Sequence, residues 1–296
     1  MTKKPGYSAT LVLLLLTYLV AMNVKAASES VIINKKSNTK GVYMTGLLTL
    51  ALSYSHREYQ IESTDQVYSK SKVLESMKTG AISLTWGGTS DQMEANYIPI
   101  RIDTYRGLMS HRLMLIREGE QAIFSQIKNT EDLKLIRFGQ GRKWMDAKIL
   151  EAAGMQVIKT NKKRNLYYML DGDRFDAFPR GASEALTELS SYSDLPLTVE
   201  KDLVIVYPLP TYFFVSKAYP KLAADIEAGL ETMLVDGQFD DYFYNSPEIK
   251  ATLEQADLKN RRAIRLTNPY LPKATPLQRK ELWLNLTKAE PIEASS

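Results

Sequence analysis

The sequence predicts an α/β protein of two lobes, each a mostly parallel sheet with flanking helices, joined by two crossover hinge strands. Three observations predict it. Short apolar runs alternate with segments whose apolar residues recur at helical spacing. The alternation reads β-α-β-α-β twice, over residues 31–86 and 135–178, the pattern of parallel strands linked by crossover helices. No low-complexity linker divides the two blocks, so the chain is expected to pass between them as paired extended segments.

In chain order, residues 31–34 read as an apolar strand. Residues 42–54 read as a helix with Tyr43, Leu47, Leu50, Ala51 and Tyr54 on one face, and residues 59–63 alternate as a strand. Residues 71–77 make a short helix, with Val73, Leu74 and Met77 inward and Gly80 as its stop. Residues 81–86 make a buried strand that runs into a Gly87-Gly88-Thr89-Ser90 turn. Residues 97–102 and 111–117 are extended. After a polar break at 118–120 come a strand at 135–138, a helix at 144–153 ended by Gly154, and a strand at 155–159. A helix at 166–170, a strand at 175–178 and a helix at 183–189 follow. Residues 203–215 form one long apolar strand region interrupted by Pro208 and Pro210. Residues 221–235 carry Leu222, Ile226, Leu230, Met233 and Leu234 on one helical face, with Gly237 as the cap. The expected division is residues 27–118 plus 205–290 for lobe 1 and 119–204 for lobe 2, with a disordered polar tail at 291–296.

Residues 1–26 read as a cleavable secretory signal. Lys3 and Lys4 supply the positive start, residues 11–20 the apolar stretch, and Val24-Lys25-Ala26 the small residues of a cleavage site. The alternative is an uncleaved anchor, but the apolar run is about 12 residues and a spanning helix needs ~20. Losing Lys3, Lys4 and Lys25 takes the 38 basic residues to 35 against 34 acidic ones, which leaves no electrostatic footprint for nucleic acid. The chain has no cysteine, so it expects no disulfide framework and no lipid-anchored N-terminus. With two histidines, His56 and His111, a His/Cys zinc site is not expected. These features point to a soluble periplasmic protein, monomeric and without a cofactor.

Several short signatures then carry a resemblance. Residues 74–86 step from helix through Gly80 to a strand ending at Trp86. Residues 131–141 read Asp-Leu, strand, Gly. Residues 223–243 contain Asp236-Gly237-Gln238-Phe239 after a long helix. In this order and spacing the chain resembles the type II periplasmic solute-binding fold, the class that includes amino-acid-binding proteins of ABC importers. Residues 176–184, Asn268-Pro269-Tyr270-Leu271-Pro272 and residues 275–283 resemble an uncharacterised proteobacterial subgroup of that fold. The chain departs from amino-acid binders in two places. It lacks their long glycine-rich hairpin after the first strand, and residues 97–102 stand where they carry Asp-Phe-Ser-x-Pro.

The resemblance implies a cleft at the C-terminal ends of the strands, and that geometry selects candidates. Trp86 ends a strand and either stacks on a ligand or closes the sheet. Gly139-Gln140-Gly141-Arg142 follows a strand; it is neither a Walker loop nor a dinucleotide fingerprint, since Trp144 takes the third glycine's place. It reads as an anion-contacting turn with Arg142 as a carboxylate fork, or as an ordinary turn. Arg180 and Glu184, one helical turn apart, either read both charges of a zwitterion or pair with each other. Arg106 with Tyr105, and Tyr207 with Tyr212, are further cleft candidates. Residues 171–176 lack the pattern of a calcium loop. No nucleophile motif or oriented histidine suggests catalysis. The expected function is capture of a small polar solute, amino-acid-like or carboxylate-bearing, by hinge closure for an inner-membrane ABC permease. The alternative is a ligand-sensing or interaction protein of the same fold that signals to a membrane receptor. An enzyme on this fold stays open as a third reading.

Overall fold

A computed structural model describes residues 28–35, 38–284 and 286. The signal at 1–26 and the tail at 291–296 lie outside these residues. The described chain opens with β1 (Glu29–Ile33), α1 (Thr39–Leu52), β2 (Tyr59–Ser63), α2 (Lys70–Lys78), β3 (Leu84–Gly88), α3 (Asp91–Asn96) and β4 (Ile98–Ile100). Short polar residues start each of these helices: Asn38, Ser69 and Ser90 accept from Gly41 N, Lys72 N and Met93 N. The strands form a first sheet in the order β2-β1-β3-β11-β4, where β11 is Thr211–Val215. The pairs β1–β2 and β1–β3 are parallel, while β11 runs antiparallel between β3 and β4.

The second sheet has the same plan. Its elements are β5 (His111–Arg117), α4 (Gln121–Ser125), α5 (Thr130–Leu133), β6 (Arg137–Gly141), α6 (Met145–Ala152), β7 (Gln156–Thr160), α7 (Lys163–Asp171), β8 (Phe178–Gly181), α8 (Ala182–Leu189), β9 (Leu197–Val199) and β10 (Leu203–Val206). A parallel bridge from Phe138 to Ala177 connects the β6–β7 pair to β8, and β5 runs antiparallel to both β8 and β10. The order is therefore β7-β6-β8-β5-β10. In both sheets the order reverses between first and third strands, and the single antiparallel strand is the one that arrives from the other lobe. A ligand crevice belongs outside the carboxyl ends of such a reversal.

Several boundaries differ from the sequence reading. The third strand of each block starts later than expected, at Leu84 and Phe178, because the preceding residues are spent closing the turn. Gly87 and Gly88 belong to β3 and no turn forms there; Ser90 instead caps α3, which the pattern did not reveal. Residues 203–215 are two strands in different sheets, parted at Pro208 and Pro210, which donate no backbone hydrogen bond. The strand at 111–117, read as the end of the first unit, lies at the centre of the second sheet.

After β11 the chain forms α9 (Pro220–Asp236), α10 (Gln238–Asn245) and α11 (Pro247–Gln255). α9 packs on α1, and Gly229 lets the backbones meet: a Cβ there would stand 2.0 Å from Ala51 O. α11 touches both α1 and α8, so it bridges the lobes. β12 (Arg262–Arg265) then adds to the second sheet, parallel to β10. The chain runs back past both crossings: Asn268 Nδ2 donates to Pro208 O at 2.8 Å and Leu284 N to Arg106 O at 2.9 Å. Among the described residues, no helix is long and apolar enough to cross a membrane.

Candidate functional site

The carboxyl ends of β1 and β3 frame a cavity of about 210 Å³ in the first lobe, lined in part by Asn34, Tyr68, Lys70, Trp86, Gly87 and Met93. Trp86 is 8% exposed and meets Phe213 edge-on, with ring centroids 6.4 Å apart. Lys70 opens α2. It is exposed, yet loss of solvent lowers its pKa, with Lys40 adding to the effect and Asp146 opposing it. An accessible ammonium that is still poorly solvated marks a concave wall.

On the opposite wall Arg112 is 4% exposed. Its Nε donates to Asp146 Oδ1 at 2.7 Å and to Tyr207 Oη at 3.1 Å, and Tyr207 Oη donates to the same carboxylate oxygen at 2.7 Å. The guanidinium lies 4.9 Å from the Tyr207 ring centre. Burial pushes the Asp146 carboxyl up, but Arg112, Tyr207 and Arg180 together outweigh it and hold the group below its usual range.

Beside this pair lies a second cluster. Arg180 donates to Glu188 at 2.7 and 2.9 Å and pairs with Glu184 at 2.8 Å. Its guanidinium stands 4.7 Å from the Trp144 ring centre. Lys40, in the first turn of α1, reaches across to Glu184 Oε1 at 2.9 Å. Glu188 also accepts from Lys163 and from Tyr167 Oη, each at 2.5 Å. Burial alone would raise the Glu184 carboxyl, yet Arg180 and Lys40 drive it well below the ordinary range. The cluster can hold charge in place and bind the lobes to each other. Among the described residues, no group of acids and histidines could hold a metal ion.

Comparison with solved structures agrees with this fold. The chain is similar to the probable amino-acid ABC transporter extracellular-binding protein ytmK from Bacillus subtilis, with 12% identity, a TM-score of 0.55, and 75% of this chain and 99% of that one covered. It is similar to an ancestral arginine-binding protein bound to arginine, with 14% identity, a TM-score of 0.51 and coverage of 74% and 98%. It is also similar to an ancestral amino acid-binding protein described as a precursor of cyclohexadienyl dehydratase, with 12% identity, a TM-score of 0.50 and coverage of 73% and 95%. The chain has the type II periplasmic binding-protein fold. No protein-family model and no curated protein matches the sequence.

Within this binding-protein fold the candidates from the sequence are dispersed. Trp86 lines the first-lobe cavity. Arg180 and Glu184 are at the mouth of the second lobe, paired with each other, one of the two arrangements their spacing allowed. Arg142 is exposed and donates to Lys159 O at 3.2 Å, on the β7 side and away from the reversal between β6 and β8. Gly139 and Gly141 are in β6, not in a turn, and both make room for rings. A Cβ at Gly139 would stand 2.1 Å from Phe175 Cζ, and one at Gly141 2.4 Å from Trp144 Cδ2. Arg106 has φ 48° and holds the C-terminal segment through Glu281 O at 3.0 Å and the Asp240 carboxylate. Tyr212 is buried among Val73, Met77, Tyr97 and Phe214 beneath α2, so its place is in the packing of the sheet.

Four cleft residues, Lys40, Lys70, Arg112 and Asp146, escaped the sequence reading. Arg112 left no usable signal, since it stands after His111 at the start of β5, ahead of the apolar run 113–116. The lysines look like ordinary solvated residues in one dimension.

Proposed function

We propose that this protein captures a small polar solute between its lobes, by hinge closure, outside the cytoplasm. The observation that carries the reading is the cleft itself. A tryptophan-lined cavity with Lys70 in the first lobe and a buried Arg112–Asp146–Tyr207 group in the second both lie at strand ends where the sheets reverse, and Lys40 spans the lobes to Glu184. Closure would let one solute touch both walls, and differential contact of that kind shifts an open–closed equilibrium. The lobes are assigned as the two sheets with their helices, and an inner-membrane ABC permease is the partner that would receive the closed form. A thermal-shift screen against amino acids, short peptides, polyamines and organic acids tests this. One class is expected to raise Tm by several degrees at millimolar concentration, and a broad panel without effect would remove the reading.

A second reading, a sensor that signals through its shape without transport, is favoured by a separate observation. α11 and β12 carry the chain across the lobes twice more, which suits a molecule whose closure is read by a partner. Binding without uptake in cells carrying the permease would favour it.

A further inference from the structure

The cavity of the first lobe lies on one face of its sheet. Thr85 and Gly87 alternate with Trp86 along β3 and stand opposite Phe214 and Tyr212 of β11. Residues paired across two strands share a face, so Thr85 and Gly87 look towards α2 and the cluster of Val73, Met77, Tyr212 and Phe214. Gly87 leaves this face bare. A Cβ there would meet no atom within 4 Å, whereas one at Gly88 would stand 3.3 Å from Leu209 Cδ1. The space of about 210 Å³ is therefore bounded by open backbone at Gly87 and by the apolar residues Val73, Leu74 and Met93. Val67 lines the same space while 68% exposed. Apolar walls around a hollow lack contact partners until an apolar group enters.

The polar lining is nearly spent. Asn34 gives both ends of its amide to the Tyr68 backbone, with Nδ2 donating to Tyr68 O at 3.2 Å and Oδ1 accepting from Tyr68 N at 2.9 Å. Among the described residues that line the cavity, Lys70 alone is charged, and it makes no hydrogen bond or ion pair. The acids nearby in sequence do not answer it. Glu94 accepts from Thr89 Oγ1 at 2.8 Å and from Arg101 at 2.7 and 3.1 Å. Asp65 and Asp91 are exposed and stand outside the lining.

We infer that the first-lobe cavity takes the short apolar tail of a carboxylate, with the tail over Gly87 and the carboxylate at the Lys70 ammonium. This rests on the solute-binding reading and narrows it. Sites for drug-sized ligands measure ~300–1,000 Å³, so this space suits a tail of leucine size and excludes a larger one. An ammonium on an apolar wall favours a single anionic group and gives a cationic tail nothing to pair with. An apolar amino acid and a simple carboxylic acid share this chemistry.

The test is isothermal titration and thermal shift of the mature chain with isocaproate, leucine, isoamylamine, succinate and arginine. Isocaproate or leucine is expected to bind and to raise Tm, and the pair, which differs by one ammonium, names the source of the carboxylate. Isoamylamine has the tail without the carboxylate, and succinate has carboxylates without the tail; neither is expected to bind. Lys70→Gln is expected to weaken binding about tenfold or more through loss of the charge-assisted contact. Gly87→Val fills the open space and is expected to weaken it at least as much, while the Tm of the unliganded protein holds or rises because the new side chain meets open space on a strand. Should Gly87→Val fail to fold, the exposed Lys70 position still decides. Undiminished affinity in either variant would overturn the site. Stabilisation by isoamylamine, succinate or arginine without isocaproate or leucine would overturn the ligand class and leave solute binding standing. Binding by none of the five would likewise overturn the class, and the broader panel then judges solute binding separately.

Discussion

Asp103 stands where the two crossings meet. Its Oδ1 accepts from Tyr105 N at 3.0 Å and Thr211 N at 3.2 Å, and its Oδ2 from Gly107 N at 2.9 Å, so one carboxylate joins the outward and the returning strand. Burial pushes its pKa up to about 6, and the three backbone bonds hold it from rising further. The sign of the linkage follows. The folded value exceeds the ~3.9 of a solvated aspartate, so the folded state favours the protonated form. That contribution is complete below about pH 4 and is lost as pH rises through 6, a change of roughly 3 kcal/mol. Asp103→Asn removes the titration, at the cost of one acceptor facing Gly107 N. Urea unfolding of both chains between about pH 4 and pH 7 is expected to show the variant gaining on the parent as pH rises. A difference that stays flat over that range would show that Asp103 titrates normally. Arg180 teaches the complementary lesson: its two carboxylate partners are so close that a residue read as a ligand contact serves to neutralise its neighbours.

At the scale of elements, β6 shows what a pattern conveys and what it hides. The run 135–138 announced a strand, but the strand is Arg137–Gly141, shifted into the glycines. Glycine in a strand often marks a close approach, and here the approaching groups are Phe175 and Trp144. Gly139→Ala forces a methyl to within 2.1 Å of the Phe175 ring. Overpacking of this kind costs about 1–3 kcal/mol, and Phe175→Leu in the same chain is expected to recover part of it, as read by denaturant midpoints. An equal loss in the single and double variants would move the cause away from Phe175. β2 was legible because its residues alternate between half-buried and exposed, and β1 and β5 were legible as apolar or extended runs. α3, β9 and β12 were not, since strands of three or four residues and a six-residue helix give too little periodicity. The site was legible only where a residue's place along a strand fixed it, as with Trp86; Lys40 and Lys70 owe their position to tertiary contact alone.

At the scale of the whole molecule, contact between the lobes has two separable supports. One is the Lys40–Glu184 pair, which joins α1 of the first lobe to α8 of the second and is partly buried, with side chains 24% and 20% exposed. Such a pair contributes about 1 kcal/mol, a fivefold bias towards closure. The other is the C-terminal run. It bridges the lobes through α11, joins the second sheet through β12, and returns across the hinge to Pro208 and Arg106. Arg279 then fastens it to Glu231 of α9 at 2.5 and 2.8 Å. Hinges open by changing a few backbone torsions, and each added crossing limits those changes. Lys40→Ala is therefore expected to widen the lobes only slightly, and Asn268→Ala, which removes the 2.8 Å bond to Pro208 O, to widen them further when combined with it. Small-angle scattering of the parent, both single variants and the double variant reads this as a stepwise increase in radius of gyration. An increase already complete in Lys40→Ala would assign closure to the ion pair alone and deny the C-terminal run a part in it.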